Sequence, residues 1–435
     1  MARPKISTTE PLLPVIIAQG GIRFAPGIKA GRWVFATGHK GTHDYVSGMA
    51  PQVLQSGLPH YDKPKHKREA EQIFFNLERV LQAGGAKFRD IVRLDQYYTT
   101  HRAVEPYHDV RRAKLGDHIP PSTSVLQKGL LLDRQEIEVQ IIAVRPGPGF
   151  GIEHVRPKEI EVHPTSGYSP ALKAGNYVFV AGRLADSKKF GQGIPPGARL
   201  PQGYIWKGVP IKLETEFILR HKIEPALRAA GSSLSNVLKF QVYLRDLEDF
   251  APFNEIWASY FGKQPPATTL IPMPNPGLVM PEARIEINTI ALTDGAGSEK
   301  EVIDAGVMPA FKGYPQAVRS GDLLFLSGML AIDGDGLVKP ARIDSAQPYF
   351  GSSIQEQMKY LLDNAEKVCR KAGTSLSNIV RIQQFHMDLK EFYQAYQVWE
   401  RHLPAQHLPF SAVEVPFLPH PNCSVMLDLW VYVPC

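Results

Sequence analysis

Phe24-Ala-Pro-Gly-Ile-Lys-Ala-Gly31-Arg-Trp-Val-Phe-Ala-Thr-Gly38 decides the fold, because the chain writes the same pattern twice more. Tyr168-Ser-Pro-Ala-Leu-Lys-Ala-Gly175-Asn-Tyr-Val-Phe-Val-Ala-Gly182 opens a second copy, and Tyr314-Pro-Gln-Ala-Val-Arg-Ser-Gly321-Asp-Leu-Leu-Phe-Leu-Ser-Gly328 a third. Equivalent glycines recur at offsets of 144 and 146 residues. Each block reads as a strand, a glycine turn and an apolar strand ending at a small residue plus Gly. Repetition of this length makes the chain an array of modules rather than one continuous core.

The rest of each copy runs in one order. A long Gly/Pro-rich loop follows, richest from Ser187 to Pro210, and then a helix with an apolar stripe. In copy one the stripe is Ile73, Phe74, Leu77, Val80 and Leu81; in copy three it is Met358, Leu361, Leu362, Ala365, Val368 and Cys369. Pro225 predicts a kink or break in the second copy's helix, since proline has no N–H to give. Ala83-Gly84, Ala230-Gly231 and Ala372-Gly373 predict left-handed glycine caps. A strand, a second helix, a proline-marked turn and a last strand complete each unit, with further strand pairing allowed after the turn. The last strands are expected at Ile137–Val144, Ile285–Leu292 and Leu427–Val433. The fold class is α+β, a β-β-α-β-α-β unit three times over, with modules at 1–147, 148–296 and 297–435. Arg145-Pro-Gly-Pro-Gly-Phe-Gly151 and Asp294-Gly-Ala-Gly-Ser read as linkers. Two helices cover one face of each sheet, so the other face needs cover that neighbouring modules supply.

Composition narrows the function classes. Of 435 residues, 43% are hydrophobic and 21% charged, and no apolar run is long enough to span a bilayer. The N-terminus lacks a signal-peptide pattern, and three cysteines fit a reducing compartment, so a cytoplasmic location is expected. The surplus of +6 is dispersed, with no basic run interleaved with aromatics, which argues against nucleic acid as a partner. The histidines at 39, 43, 402 and 407 form no three-ligand metal set, and neither phosphate-loop nor nucleophile-elbow motifs occur. No metal or cofactor is expected.

Each copy resembles the Rid (reactive intermediate deaminase, YjgF-like) family, whose fold is similar to chorismate mutase. The resemblance rests on Gly167-Tyr168 and Gly313-Tyr314, the small-residue-Gly ends of the second strands, and the Ala-Gly helix ends. It rests also on Val242-Tyr-Leu-Arg-Asp-Leu247, Phe250-Ala-Pro-Phe-Asn254, Pro266-Ala-Thr-Thr269 and Ile285-Glu-Ile-Asn-Thr-Ile-Ala-Leu292. It implies a single-chain pseudo-trimer, open to further association, with small-molecule pockets where modules meet.

The resemblance also implies site residues. The family binds a substrate carboxylate with the arginine of Pro-Ala-Arg-Ser/Thr and handles water with a last-strand glutamate. Here the segments read Pro121-Ser-Thr-Ser124, Pro266-Ala-Thr-Thr269 and Pro409-Phe-Ser-Ala412, so the arginine is missing three times and Thr123 and Thr268 stand in the motif. Serine or threonine cannot replace a bidentate fork. Glu138 and Glu286 match the strand carboxylate, and Asp428, 142 residues beyond Glu286, is the expected third. An acid between apolar neighbours on an interface strand is desolvated and suited to general acid/base work; on a solvated face it is only a surface carboxylate. His39 is a candidate proton shuttle, and Lys40 and Arg183 are candidates for the missing positive charge, against bland roles as loop histidine and surface cations. Tyr168, Tyr314 and Asn254 match pocket residues of the family. Two functions stand open: a cofactor-independent small-molecule hydrolase at a C–N bond, and a non-catalytic binding protein on the same scaffold. Ribonuclease activity is a weaker third.

Overall fold

The opening signature of each copy folds as an antiparallel hairpin, Gly27–Ala30 with Trp33–His39, Ala171–Ala174 with Tyr177–Arg183, and Ala317–Ser320 with Leu323–Leu326. The computed structural model describes residues 8–17, 20–55, 63–148, 150–162, 166–187, 193–206, 209–262, 265–295, 300–346, 348–349 and 351–434. Parts of the Ser187–Pro210 loop, most of the second linker and Cys435 lie outside them. The pairs nearest the turns are Ala30↔Trp33, Ala174↔Tyr177 and Ser320↔Leu323, so each turn has two central residues. Gly31, Gly175 and Gly321 hold the first of these at φ 55°, 56° and 55°, a left-handed angle that side-chain-bearing residues resist.

Two strands per copy extend the expected unit. Thr9–Leu12, Ile152–Val155 and Glu301–Ile303 add to the outer edges of the hairpins. Ser122–Leu126, Ala267–Pro272 and Phe410–Glu414 follow the proline turns and pair in parallel with Ile91–Tyr98, Val237–Leu244 and Ile379–His386. The second helix of each copy is the crossover that a parallel pair requires. The first sheet runs Thr9–Leu12, Gly27–Ala30, Trp33–His39, Ile137–Val144, Ile91–Tyr98, Ser122–Leu126, and the other two repeat this order. The third sheet gains a seventh strand, Gly129–Leu130 of copy one, on the edge beside Phe410–Glu414.

Helices Lys65–Ala83 and Ser353–Lys371 bury the stripes expected of them. The break at Pro225 takes the form of a π-turn: Val209–Ile218 passes through Leu219–Ile223 before Glu224–Ala229 resumes the α-helix. Widening the turn accommodates the ring and the lost donor without ending the helix. Gly231 and Gly373 take left-handed caps at φ 69° and 80°. In copy one the expected cap shifts by a residue, since Gly84 stays right-handed at φ −79° and Gly85 turns to 74°.

The three sheets turn their remaining faces toward a common axis. An apolar layer there draws on all three copies, including Trp33, Phe35, Val92, Phe179, Leu238, Ile290, Phe325, Val380 and Trp430. A bulge at one place in each central strand (Ile91/Arg93, Val237/Lys239, Ile379/Arg381) lets consecutive residues such as Val92 and Arg93 both reach this core. The next layer is polar and fully buried. Asp95 accepts from Arg93 at 2.8 Å and from Arg381 at 3.0 Å, and Lys239 sits 2.9 Å from Asp428. Gln241 donates to Asp428 at 2.7 Å, and Gln383 to Tyr97 at 2.7 Å. Tyr97, Tyr243 and Phe385 begin a second apolar layer beyond it. Cross-module pairs of this kind fix how the modules register, because a slip would strand a buried charge.

Lys239→Met tests that role. With the Lys239–Asp428 pair broken, the urea midpoint should fall by the equivalent of about 3–5 kcal/mol, and Lys239→Met/Asp428→Leu should recover much of it. A single variant as stable as the parent would show that the pair does not hold the modules.

Candidate active site

Each seam between modules is built from the same four positions. Strand register identifies the first as Ser122, Thr268 and Phe410, which face Leu94, Phe240 and Ile382 across the parallel pairs. Thr123 therefore corresponds to Thr269 and Ser411, one residue away from the motif match with Thr268. The second position is the eighth residue of each second helix: Arg111, Trp257 and Trp399. The third and fourth come from the following module. Tyr97, Tyr243 and Phe385 pair with Glu138, Glu286 and Met426, so Met426 and not Asp428 occupies the carboxylate position of copy three. Asp428 lies two residues on, at the axis with Lys239, which removes it from the site. The fourth position is Tyr168, Tyr314 or Phe24.

At the seam of copies one and two these positions surround a cavity of about 350 Å³. Arg111 is wholly buried at its wall; Nη1 donates to Ser122 Oγ at 3.3 Å and Nη2 to the Ser166 carbonyl at 2.6 Å, while Nε has no partner. The short Ser122 side chain leaves room for the guanidinium. Glu286, 4% exposed, also lines the cavity, and its Oε2 has no hydrogen-bond partner. Burial pushes the Glu286 carboxyl up to about 8, against the pull of Arg183 and Arg93. Arg183 donates to the Tyr168 hydroxyl at 3.4 Å and lies 5.6 Å over its ring, with Nε and Nη2 unpartnered. A methyl group on Gly182 would overlap Glu286 Oε1, which explains a glycine there. Thr123 turns to the axis, where its hydroxyl accepts from Arg93 at 2.9 Å.

At the other two seams the described residues pack aromatic rings into the same positions. Between copies two and three, Trp257 donates to Thr268 Oγ1 at 3.1 Å and its ring lies 4.3 Å from that of Tyr314. Tyr314 donates in turn to Asn254 Oδ1. Between copies three and one, Phe24 packs 4.9 Å from Phe410, and Ser411 donates to Glu138 Oε1. Lys40 is buried with its ammonium 5.6 Å from the Phe24 ring and attracted to Glu138.

His39 does not fit a shuttle. It is fully buried, its Nε2 lies 2.9 Å from the Pro26 carbonyl and its Nδ1 2.8 Å from the Tyr45 hydroxyl. Both nitrogens are engaged, and burial pushes the ring down to about 4, so it stays neutral and fixed.

The eleven expected residues thus divide among places. Glu286, Tyr168 and Arg183 meet at the open seam, with Thr123 at its axial side. Tyr314, Asn254 and Thr268 close the second seam, Glu138, His39 and Lys40 belong to the third, and Asp428 lies at the axis. Arg111 and Ser122 were not among the expected residues. Matching the second helices position by position, which puts Arg111 against Trp257 and Trp399, is the signal that finds Arg111.

The profile of the family described as endoribonuclease L-PSP matches three times, over residues 21–145, 159–293 and 306–433. The chain belongs to this family. Among L-PSP relatives, the RutC family protein PH0854 of Pyrococcus horikoshii is 38% identical over 128 residues, covering 29% of this chain and 88% of the relative. Reactive Intermediate Deaminase A, chloroplastic, of Arabidopsis thaliana is 33% identical over 124 residues, 28% of this chain and 57% of the relative. The crystal structure of yeast Mmf1 is similar at 24% identity over 33% of this chain and all of that one, with a TM-score of 0.27. Each match spans about one L-PSP module.

The raised carboxyl of Glu286 has a stability signature. A folded-state pKa above the unfolded value gives stability that is complete below the ordinary glutamate range and is lost as pH rises through about 8. Glu286→Gln should therefore gain stability relative to the parent across that window in pH-dependent urea unfolding. Parallel curves would mean the carboxyl is ionised at neutral pH.

Proposed function

We propose that the protein is a cofactor-independent hydrolase of small imines or enamines, working at the seam of copies one and two. The observation that carries this reading is a buried carboxyl, Glu286, lining the same cavity as the buried guanidinium of Arg111, with Glu286 Oε2 and Arg111 Nε both left without a hydrogen-bond partner. The family arginine is gone from the strand, but a helix supplies another, hydrogen-bonded to the serine that took its place. A planar fork of this kind binds a carboxylate in two-point fashion.

The chemistry follows from the protonation state. Protonated Glu286 donates to the imine nitrogen, and the carboxylate it becomes is stabilised by Arg183. Water adds to the carbon as Glu286 takes its proton back, giving a carbinolamine. Glu286 then passes that proton to nitrogen, the C–N bond breaks as the carbinolamine hydroxyl gives its proton back to Glu286, and ammonia leaves with the carbonyl product. The balance is imine plus water to carbonyl plus ammonia, with no oxidant or reductant. That relatives include a named reactive intermediate deaminase supports the reaction class.

The two seams packed with aromatic rings favour a second reading, a scaffold kept for binding alone. Ribonuclease chemistry, named in the family description, fits less well. The cavity carries four acids, Glu161, Asp186, Glu282 and Glu286, and would repel a polyphosphate chain unless they were neutralised. Among the described residues no helix is long and apolar enough to cross a membrane, and the free Cys369 and Cys423 support a reducing compartment such as the cytoplasm.

Imines generated in place from amino acids provide the assay. Glu286→Gln should lower kcat by about 10²–10⁴, the usual worth of a positioned acid, and the parent's rate should fall above about pH 8. Arg111→Met should raise KM by roughly 10- to 100-fold, the worth of a charge-assisted bond. Glu138→Gln should leave turnover intact. Undiminished turnover in Glu286→Gln would leave the binding-only or another reading.

A further inference from the structure

The cavity is polarised along its depth in a way that the hydrolytic step does not require. Its cation, Arg111, is buried, whereas Glu161 and Glu282 are exposed acids on its lining. Asp186, also on the lining, is already matched by Lys222 at 2.8 Å. Neither Glu161 nor Glu282 has an ion-pair partner among the described residues. Leu184, Val279 and Met280 give the lining an aliphatic surface. Two further groups mark the place as built for a ligand: Arg111 Nε and Glu286 Oε2 are buried in the cavity wall with nothing to bond to, and leaving such atoms unmade is expensive unless a ligand meets them.

We infer that the substrate is an imino or enamino acid with a cation at the far end of an aliphatic side chain, an ammonium or guanidinium. The assignment rests on the deaminase reading and adds to it the identity of the side chain. The carboxylate goes to Arg111, the C–N bond to Glu286, the methylenes to Leu184, Val279 and Met280, and the cation to Glu161 and Glu282. Acids left unpaired at a mouth also draw cations in and oppose the entry of dianions, so the charge pattern selects as well as binds.

The test uses two imines made in place by an L-amino acid oxidase with catalase, one from L-arginine and one from L-leucine, and reads the ratio of their kcat/KM values. In the parent protein the ratio should favour the arginine-derived imine by about tenfold at low salt, the worth of two exposed ion pairs, and shrink as ionic strength rises. In Glu161→Gln/Glu282→Gln the ratio should fall to about one. A parent ratio at or below one, or a ratio the double variant leaves unchanged, overturns the assignment of a cationic substrate while the deaminase reading stands. Failure of the parent protein to hydrolyse either imine overturns the deaminase reading itself, and the substrate assignment with it.

Discussion

A sheet armoured with helices on one side cannot leave its other side in water. Everything else in this protein follows from how that second face is covered. Three equivalent sheets cover one another, in an axial core that alternates apolar, charged and apolar layers. The apolar layers supply the drive to associate, at roughly 25 cal/mol per Å² of apolar surface removed from water. The charged layer supplies the register, since Asp95 meets Arg381, and Asp428 meets Lys239, only when the modules sit in one relative position. Clefts then arise where a module's edge strand and second helix meet the next module's hairpin, and the chemistry has nowhere else to form.

Covalent fusion changes what such clefts can become. In a symmetric trimer, a change at the eighth residue of the second helix appears three times. Here that position is Arg111, Trp257 and Trp399, and the opposing strand position is Ser122, Thr268 and Phe410. The aromatic pairs at two seams bury large surfaces and gain from ring packing, about 0.5–1.5 kcal/mol per pair beyond area. The remaining seam keeps unpaired buried groups that oppose folding. Stability and reactivity are thus assigned to different seams of one molecule, an arrangement identical subunits have no means to adopt.

Much of this was readable from residues alone, because local physics sets it. The hairpin glycines, the helical stripes and the proline turns each answer to a neighbour a few positions away. Errors entered where long-range register decides. Asp428 was matched to the glutamate position by its 142-residue offset from Glu286; side chains two apart on a strand share a face, so a slip of two leaves the alternation intact and only the pairing of Phe385 with Met426 exposes it. Thr123 was misplaced by one residue because Pro120-Pro121 offers the motif two prolines to start from, and only the strand pairing equates Ser122 with Thr268. His39 and Lys40 looked poised at a strand end, yet both are buried beside a seam closed by a contact 386 residues apart in sequence, Phe24 on Phe410. Arg111 was hidden because its role depends on Ser122 being small and on copy two closing over it.

The strand Gly129–Leu130 on the edge of the third sheet bears on how the molecule is made. Two seams join modules that are consecutive in the chain and are brought together by short linkers. The seam of first and last modules has no such tether, and it is here that one module lends a strand to another's sheet. During translation that strand leaves the ribosome far ahead of Phe410–Glu414, and it stays without its mate until that later strand follows. Ring closure consequently waits on the third module, and a nascent chain stopped short of it carries an open edge ready to pair with the wrong neighbour.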